Sequence, residues 1–574
     1  MMMFMSQKNA YFAAVFASAL LSASIGRACT NYLVSKGASE DGSTMISYSA
    51  DSGSLYGTLK SFPALSNVPA GTKVQINDWD SGVYLGEIPQ AENTYSVVGN
   101  ANEHGLAIAE TTFGGTAPFN KGNDGAVLDY GSLIWLTLQR ARNASEAITV
   151  MDSLTNKYGY ASGGESFAIS DPNEVWLLEM ISKGEREIGS VWVARKVPEG
   201  FVCGTANQAR IRTWPRDDPE NNRWSKDVVD VARRAGLFNG TDEEFSFSDT
   251  YNPVSAAGPR VSEIRVWNFF RQVTEEAGFE DKYLNYVKGQ DPTNRFPLFA
   301  KVKRKVSLND TMWYMRSHFQ DTYFDGSKDV GAGSSKSFFR RRPLMWQHDG
   351  RGYVNERTVA VQQSGWHFVA QGRPNYPSEM SILWFGLDDA SLSPHTPIYY
   401  SASRASKHWQ DGYGSATEWE DSAFWAYNSV ANFVYPRYEY THGVVQQKII
   451  QIEKEYFEMV KNTDSVVLQM IQSGNKKGAV EKMTSFSENL CDKIVATWFS
   501  LWKQLMVTFR DGFIVSPQKP AHARDLPIAK VVEPGYDDDW YARIIHDTKD
   551  HYCVSNCNSA ADANEVLPAL PTGV

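Results

Sequence analysis

The order of short strand-like segments and long helix-like segments is the feature that most restricts what this chain can fold into. Pairs of apolar segments joined by polar turns come first, then a helical stretch, then further strand-like segments, and finally two long stretches with helical periodicity. Strands joined by short turns pair in antiparallel fashion, whereas parallel strands need a longer crossover, usually a helix. The order therefore predicts an α+β fold of two antiparallel sheets with helices packed outside them and a helical C-terminal region.

The predicted strands fall in pairs, and the first pair is the clearest. Residues 30–34 and 44–49 suit strands and enclose a polar turn with an Asp-Gly dipeptide at 41–42, a strong hairpin signal. The other predicted pairs are 95–101 with 106–112, 166–170 with 175–180 and 191–195 with 201–204, and later strands are predicted at 358–361, 366–371 and 381–386. Apolar residues at helical spacing predict helices within 128–158, 444–461 and 479–509.

Length and composition predict a large exported protein with several structural units. The chain has 574 residues, enough for a deep core. We predict a signal peptide at 1–28, a catalytic domain at 29–420, a helical region packed on that core at 421–515, and an irregular tail at 516–574. The net charge of −10 is spread along the chain and gives no indication of a nucleic-acid partner. The 17 Trp residues are better explained by buried aromatics than by sugar-binding surfaces.

Residues 1–28 have the features of a removable secretory leader. Lys8 precedes an apolar run over 11–21, and Gly26 and Ala28 occupy the small-residue positions before a cut after Ala28. The apolar run is too short to span a bilayer, and no later run reaches spanning length. We therefore expect an exported protein, secreted or periplasmic, with no membrane span.

A cut after Ala28 would make Cys29 the first residue of the mature chain. The thiol would then stand beside a free α-amine that can serve as its base. The usual pKa values of the two groups, about 8.5 and about 7.7–8.0, are closely matched near neutral pH. A lipid-attachment signal is the alternative for a cysteine after such a cut, although Gly26 and Arg27 do not fit that pattern.

The remaining cysteines have several possible roles in an exported chain. They are Cys203, Cys491, Cys553 and Cys557. The first two could be buried thiols. Cys553 and Cys557 are close enough for a local disulfide, while His546 and His551 upstream also allow a zinc site. An oxidising compartment favours the disulfide. We expect neither a metal nor an organic cofactor in the catalytic site.

Local geometry predicts which groups surround Cys29. A hairpin folded near residues 40–41 lays Asp51 roughly opposite Cys29, where its carboxylate would orient the amine. A tetrahedral oxyanion needs neutral hydrogen-bond donors, each worth about 3 kcal/mol. Asn102, in a predicted turn, and Asn207, just past a predicted strand, are candidates. Taken singly, the two asparagines are more often turn formers, and Asp51 is more often a solvated turn carboxylate.

Two segments at the predicted mature start resemble the dipeptidase family of N-terminal-nucleophile (Ntn) hydrolases. They are CTNYLV at 29–34 and DGSTMI at 41–46. Further segments resemble the same family in the expected order, at 102–107, 173–176, 192–195 leading to Asn207, 355–358 leading to Gly365 and Trp366, 384–390 and 510–513. The resemblance covers the chain from residue 29 to about 515.

The resemblance implies an αββα sandwich with Cys29 as nucleophile, exposed by leader removal or self-processing. Penicillin V acylase and bile-salt hydrolase are similar in fold and in this start. By that likeness Asp51 is the carboxylate near the nucleophile, and Arg265 is a later active-site arginine. Asn102 and Asn207 match the oxyanion donors. The acylases have an arginine three residues before the aspartate, where this chain has Tyr48. Either another positively charged group stabilises the thiolate in this chain, or the substrate preference differs.

The sequence therefore predicts a secreted cysteine dipeptidase that cleaves small peptides through a thioester. Two alternatives stay open at this point. One keeps the fold but hydrolyses N-acyl amides, as penicillin V acylase and bile-salt hydrolase do. The other is a non-catalytic secreted binding protein that uses exposed aromatic residues. The resemblance also hints at a homo-oligomer.

Overall fold

The structure is a computed structural model that describes residues 29–339, 344–518 and 528–553. The predicted leader and Cys557 lie outside these ranges. The strands within them are β1 (Asn31–Val34), β2 (Thr44–Asp51), β3 (Ser61–Phe62), β4 (Lys73–Asn77), β5 (Tyr84–Pro89), β6 (Val97–Val98), β7 (Ala101–Asn102), β8 (Ala107–Gly114), β9 (Gly164–Ser170), β10 (Val175–Ser182), β11 (Ser190–Lys196), β12 (Phe201–Thr205), β13 (Asn222–Trp224), β14 (Phe299–Lys301), β15 (Met345–His348), β16 (Arg351–Val354), β17 (Ser364–Gly372), β18 (Ile382–Leu387), β19 (Thr396–Tyr399), β20 (Ile514–Gln518) and β21 (Ile528–Val532). The α-helices are α1 (Tyr130–Leu138), α2 (Ala144–Tyr158), α3 (Val228–Arg234), α4 (Phe247–Tyr251), α5 (Ile264–Val273), α6 (Phe279–Val287), α7 (Leu308–Tyr314), α8 (Ala423–Val434), α9 (Tyr438–Gln472), α10 (Lys476–Thr508) and α11 (Asp538–Thr548).

Two large antiparallel sheets form the centre of the fold. The first has the strand order β14-β12-β1-β2-β17-β18-β19, and the second has the order β13-β11-β10-β9-β8-β7-β6-β3. Strand β2 of the first sheet contacts β8, β9 and β10 of the second. The mixture of helices and antiparallel sheets confirms the predicted α+β class.

The side chains of β8 show how the second sheet is covered on both faces. Ala107 and Ala109 belong to the hydrophobic cluster shared with the first sheet. Ile108, which points the other way because strand side chains alternate, belongs to a second cluster with Leu133 of α1 and Ile148 of α2. Helices α9 and α10 contact β19 at the edge of the first sheet.

The first hairpin forms as predicted, and it sets the position of Cys29. Strands β1 and β2 pair with Leu33 opposite Ile46, and Thr30 bridges to Ser49. Gly42 has a φ of 75° in the connecting turn, a conformation that glycine adopts without steric cost. Continuing this register by one residue brings Cys29 to the end of β2, where Asp51 lies.

Several predicted elements differ from the structure. The helical stretch at 128–158 is two helices, because Asn143 caps α2 by accepting a hydrogen bond from the Glu146 N–H. No strand forms at 358–361. The tail beyond 516 is not wholly irregular, since its described part contains the end of the β20–β21 hairpin and helix α11.

The described cysteines other than Cys29 fall into two groups. Cys203 and Cys491 are free and buried, whereas Cys553 is disulfide-bonded. This agrees with the predicted disulfide, although Cys557 itself lies outside the described residues. No group of three metal-ligating side chains occurs in the described ranges, and none of the helices described there is long and apolar enough to cross a membrane.

Candidate active site

Cys29 lies buried immediately before β1, with 7% of its surface exposed. Its thiol donates to Glu110 Oε1 over 3.5 Å, and its Sγ atom is 3.7 Å from the Tyr48 hydroxyl. Burial raises the pKa of the Cys29 thiol well above its usual value, and the negative charges of Glu110 and Asp51 raise it further. The thiol is therefore held protonated in the described structure.

Asp51, the last residue of β2, lies beside Cys29 as the sequence predicts. Its backbone N–H donates to the Cys29 sulfur. Its carboxylate accepts a hydrogen bond of 2.7 Å from Ser364 Oγ and lies 3.6 Å from Arg357 Nη2. Burial raises the pKa of Asp51, while Arg357 and Ser364 act in the opposite direction. The carboxylate therefore has fixed partners close to Cys29.

Arg265 of α5 links Cys29 to Asn207. Its Nη1 donates to the carbonyl oxygen of Cys29 over 2.7 Å and to Thr30 Oγ1 over 2.9 Å. Its Nη2 donates to Asn207 Oδ1 over 2.8 Å. Complete burial lowers the pKa of Arg265 to about 9, with a further decrease from Arg357 and an opposing effect of Asp51. Arg265 contacts the backbone of Cys29 rather than its sulfur, so its hydrogen bonds fix the position of that backbone.

Asn207 has the backbone and side-chain geometry of a fixed donor. Its φ of 57° is the left-handed conformation that asparagine tolerates. Arg265 holds the side-chain oxygen, and Nδ2 donates to the carbonyl oxygen of Thr112 over 2.6 Å. A primary amide has two N–H groups, so one is left for another acceptor.

Asn102 is not brought to Cys29. Its Nδ2 donates to the carbonyl oxygens of Leu138 and Ala141, and its Oδ1 accepts from the backbone N–H groups of His104 and Leu106. Both amide hydrogens are thus used where helix α1 ends. The geometry does not support the predicted oxyanion role for Asn102, which is a buried turn residue here.

Sequence reasoning missed an acidic cluster beside the thiol, formed by Tyr48, Glu110 and Glu165. Glu110 on β8 and Glu165 on β9 share one face, because Glu165 pairs with Thr112. The Tyr48 hydroxyl donates to Glu110 Oε1 over 2.5 Å. A lone acid within the apolar strand at 106–112 was the signal that could have revealed the cluster.

The two carboxyl groups of the acidic cluster share a proton. They lie within hydrogen-bonding distance of each other, and Oε2 of each is buried with no donor from another described residue. Burial raises both pKa values, that of Glu165 well above its ordinary 4.5, with the charge of Glu110 as the second cause. Two adjacent buried carboxylates cannot both ionise readily, so Glu165 holds the proton and Glu110 takes the charge.

A cavity of about 200 Å³ opens next to the acidic cluster. Tyr48 forms part of its wall, together with Trp79, Asp80, Tyr130 and Trp366. Tyr130 donates to Asp80 over 2.8 Å. Tyr48 therefore separates this aromatic cavity from Glu110 and Cys29.

Comparison with known proteins matches this chain to one peptidase family. The Peptidase_C69 family, described as peptidase family C69, matches residues 28–68 and 67–451. The chain is 24% identical to a probable dipeptidase of Latilactobacillus sakei over 477 residues, covering 80% of this chain and 90% of that protein. It is 23% identical to the dipeptidase of Bifidobacterium longum over 513 residues (80% and 89% of the two chains) and 23% identical to dipeptidase A of Lactobacillus helveticus over 413 residues (67% and 77%). These matches confirm the resemblance to dipeptidases noted in the sequence, and the chain belongs to peptidase family C69.

Proposed function

We propose that this protein is an exported cysteine dipeptidase whose nucleophile is Cys29 at the start of the mature chain. The observation that carries the proposal is the contact of Asp51 and Arg265 with a cysteine that follows a predicted cleavage site, with Asn207 held by the same arginine. The dipeptidase names of the similar proteins support the choice of substrate. The disulfide at Cys553 fits an oxidising compartment outside the cytoplasm.

Removal of residues 1–28 would supply the base that the buried thiol lacks. The freed α-amine of Cys29 takes the thiol proton, and the resulting ammonium offsets the charges of Glu110 and Asp51, which raise the thiol pKa. Asp51 orients the amine. The thiolate attacks the scissile carbonyl carbon, the amine returns its proton to the leaving amino group, and water then hydrolyses the thioester.

The second N–H of Asn207 is the side-chain donor proposed for the oxyanion. Its position is fixed at both ends, by Arg265 at the oxygen and by Thr112 at the nitrogen. A donor that needs no reorganisation during the reaction stabilises the developing charge by about 3 kcal/mol. We also propose that the two sheets and their outer helices correspond to the αββα sandwich of the N-terminal-nucleophile hydrolases. The homo-oligomer stays a prediction.

Substitution of the nucleophile tests the reaction. We expect Cys29→Ser to lose nearly all dipeptide hydrolysis, since a hydroxyl is a much weaker nucleophile at neutral pH than a thiol. Cys491→Ala, which changes a buried free thiol in α10, is the matched control and should keep its turnover. N-terminal sequencing and intact mass of the exported protein should show Cys29 first and unmodified. Wild-type turnover in Cys29→Ser, or an acylated terminus in an active preparation, would refute the mechanism.

A further inference from the structure

The Glu110 carboxylate beside Cys29 is buried among neutral hydrogen-bond donors. Glu110 and Glu165 are each 1% exposed, and the donors to Glu110 are the Cys29 thiol, the Tyr48 hydroxyl and the adjacent Glu165. No positively charged side chain of the described residues forms an ion pair with Glu110. Burying a negative charge without a positive partner is unfavourable. A positively charged group from outside the chain would compensate it.

The distances around Cys29 define where such a donor would belong. In a dipeptide the ammonium nitrogen is about 2.5 Å from the scissile carbonyl carbon, because a single Cα separates them. A carbonyl carbon poised for attack lies roughly 3–3.5 Å from the sulfur, which puts the ammonium nitrogen roughly 4–5 Å from Sγ. Glu110 Oε1 is 3.5 Å from Sγ, so its carboxylate occupies the zone that the ammonium reaches.

We propose that Glu110 binds the free ammonium group of the substrate's first residue and thereby selects peptides with an unblocked N-terminus. This assignment rests on the proposed function, because it takes the scissile carbonyl to lie at Cys29. Tyr48 positions the Glu110 carboxylate through its 2.5 Å hydrogen bond, and Glu165 faces it from the neighbouring strand. An N-acyl amide has no positive charge at this position and would leave the buried carboxylate unpaired.

The cavity beside the cluster would bring a small zwitterion to within one side chain of Glu110. Tyr48 lines the cavity and contacts Glu110, so it stands between the two. An ammonium that arrives from the cavity would displace the Tyr48 hydroxyl and bind the Glu110 carboxylate in its place. Trp79 and Trp366 in the same wall offer apolar surface to a side chain.

Binding to an inactivated protein tests the assignment without turnover. The probes are L-phenylalanyl-L-alanine and 3-phenylpropanoyl-L-alanine, which differ only in the ammonium group, titrated calorimetrically into mature Cys29→Ala. We expect the dipeptide to bind about 30-fold or more tightly than its des-amino analogue, as removal of one partner of a buried charge pair implies. In Cys29→Ala combined with Glu110→Gln the preference should fall to roughly threefold or less, because the ionic part of the contact is gone. Equal binding of the two probes to Cys29→Ala, no measurable binding of the dipeptide, or an unchanged preference in the double variant would each overturn the proposal.

Two further variants separate charge from structure. Glu110→Asp keeps the charge and should restore part of the preference. Glu179→Gln is the matched control, because Glu179 is also a buried strand glutamate but its oxygens accept from the backbone N–H groups of Arg210 and Ile211. Glu179→Gln should retain the full preference for the dipeptide. Loss of that preference in Glu179→Gln would count against a specific role of Glu110.

Turnover by the wild type distinguishes failure of this assignment from failure of the proposed function. A wild type that does not hydrolyse dipeptides, while Cys29→Ala still binds them in a Glu110-dependent way, removes the proposed reaction and keeps the ammonium site. A wild type that hydrolyses both probes with equal efficiency keeps the cysteine chemistry and removes the ammonium site.

Discussion

The acidic cluster beside Cys29 and an ionic network beneath α9 are both buried, but they differ in whether their negative charge has a positive partner. The ionic network consists of Arg316, His367, His395 and Glu453. Glu453 Oε2 accepts from Arg316 over 3.0 Å, and Oε1 accepts from the backbone N–H of His395 over 2.8 Å. The His395 Nε2 atom lies 3.1 Å from His367 Nδ1. In the acidic cluster, in contrast, no positively charged side chain of the described residues pairs with Glu110 or Glu165.

We infer from this difference that the ionic network serves stability and that the acidic cluster serves the proposed reaction. A buried network with every member satisfied fixes a unique packing, whereas a partly satisfied one is unfavourable unless a ligand completes it. The ionic network fastens α9 to the first sheet. The acidic cluster keeps a negative charge without a positive partner next to Cys29.

The two clusters also respond to pH in opposite directions. Arg316 and His395 outweigh the effect of burial and lower the pKa of Glu453 to about 2. Burial lowers the pKa values of His367 and His395. Lowered values mean that the network's contribution to stability is complete above the unfolded-state pKa values and is lost as pH falls through the folded ones. The raised pKa of Glu165 has the opposite consequence, because its contribution is complete at low pH and is lost as pH rises above about 4.5.

Breaking the ionic network should give the largest loss of stability. Glu453→Ala leaves Arg316 buried without its partner and should lower the free energy of unfolding by about 3–5 kcal/mol. The measurement is denaturant unfolding at pH 7, with Glu455→Ala, an exposed glutamate on the same helix, as the control. The difference between wild type and Glu453→Ala should shrink as pH falls from 4.5 toward 2. A loss below about 1 kcal/mol would contradict the structural role assigned to the network.

A pair of asparagine variants should sharpen the distinction between structural and chemical groups. Asn102→Ala should lower the free energy of unfolding by about 2–3 kcal/mol, because the carbonyls of Leu138 and Ala141 lose a buried donor. Its kcat per folded molecule should stay close to that of the wild type. Asn207→Ala should lower kcat by about 10²–10³. If instead Asn102→Ala has the lower kcat, the two assignments are reversed.

The smallest effect is expected from the acidic cluster itself. Glu165→Gln removes the proton shared between two acids and provides an amide donor to Glu110, so we expect a gain of roughly 1–2 kcal/mol in the free energy of unfolding near pH 8. At pH 4.5 the gain should vanish, because the wild-type carboxyl is then protonated. Denaturant unfolding of both proteins at several pH values measures how this gain changes with pH. A gain that does not depend on pH would show that the proton is not shared.

The local part of the site could be predicted from the sequence, and the long-range part could not. The Asp-Gly turn sets the register of β1 and β2, and that register alone brings Asp51 to Cys29. Arg265 followed only from family resemblance. Asn102 was misassigned because an asparagine in a turn gives no indication of which way its amide points.

Buried polar residues account for most of what the sequence concealed. Glu110 occupies an alternate position of a strand, which usually indicates a solvent-facing side chain, but here the neighbouring elements cover it. Helix α9 extends over 35 residues, well beyond the predicted 444–461. Its buried Asp464, just beyond the predicted end, interrupts the apolar period on which the prediction depended.

The bond between Arg265 and the carbonyl oxygen of Cys29 has a consequence for maturation. That carbonyl belongs to the part of the chain that is retained after the leader is removed, so a cut at residue 28 does not release it. The new N-terminal residue would stay held by Arg265 at its own carbonyl oxygen, and only its amino group would gain freedom to rotate. In the proposed maturation, the uncut chain would already have the scaffold around Cys29, and the cut would add a proton acceptor to it without any refolding.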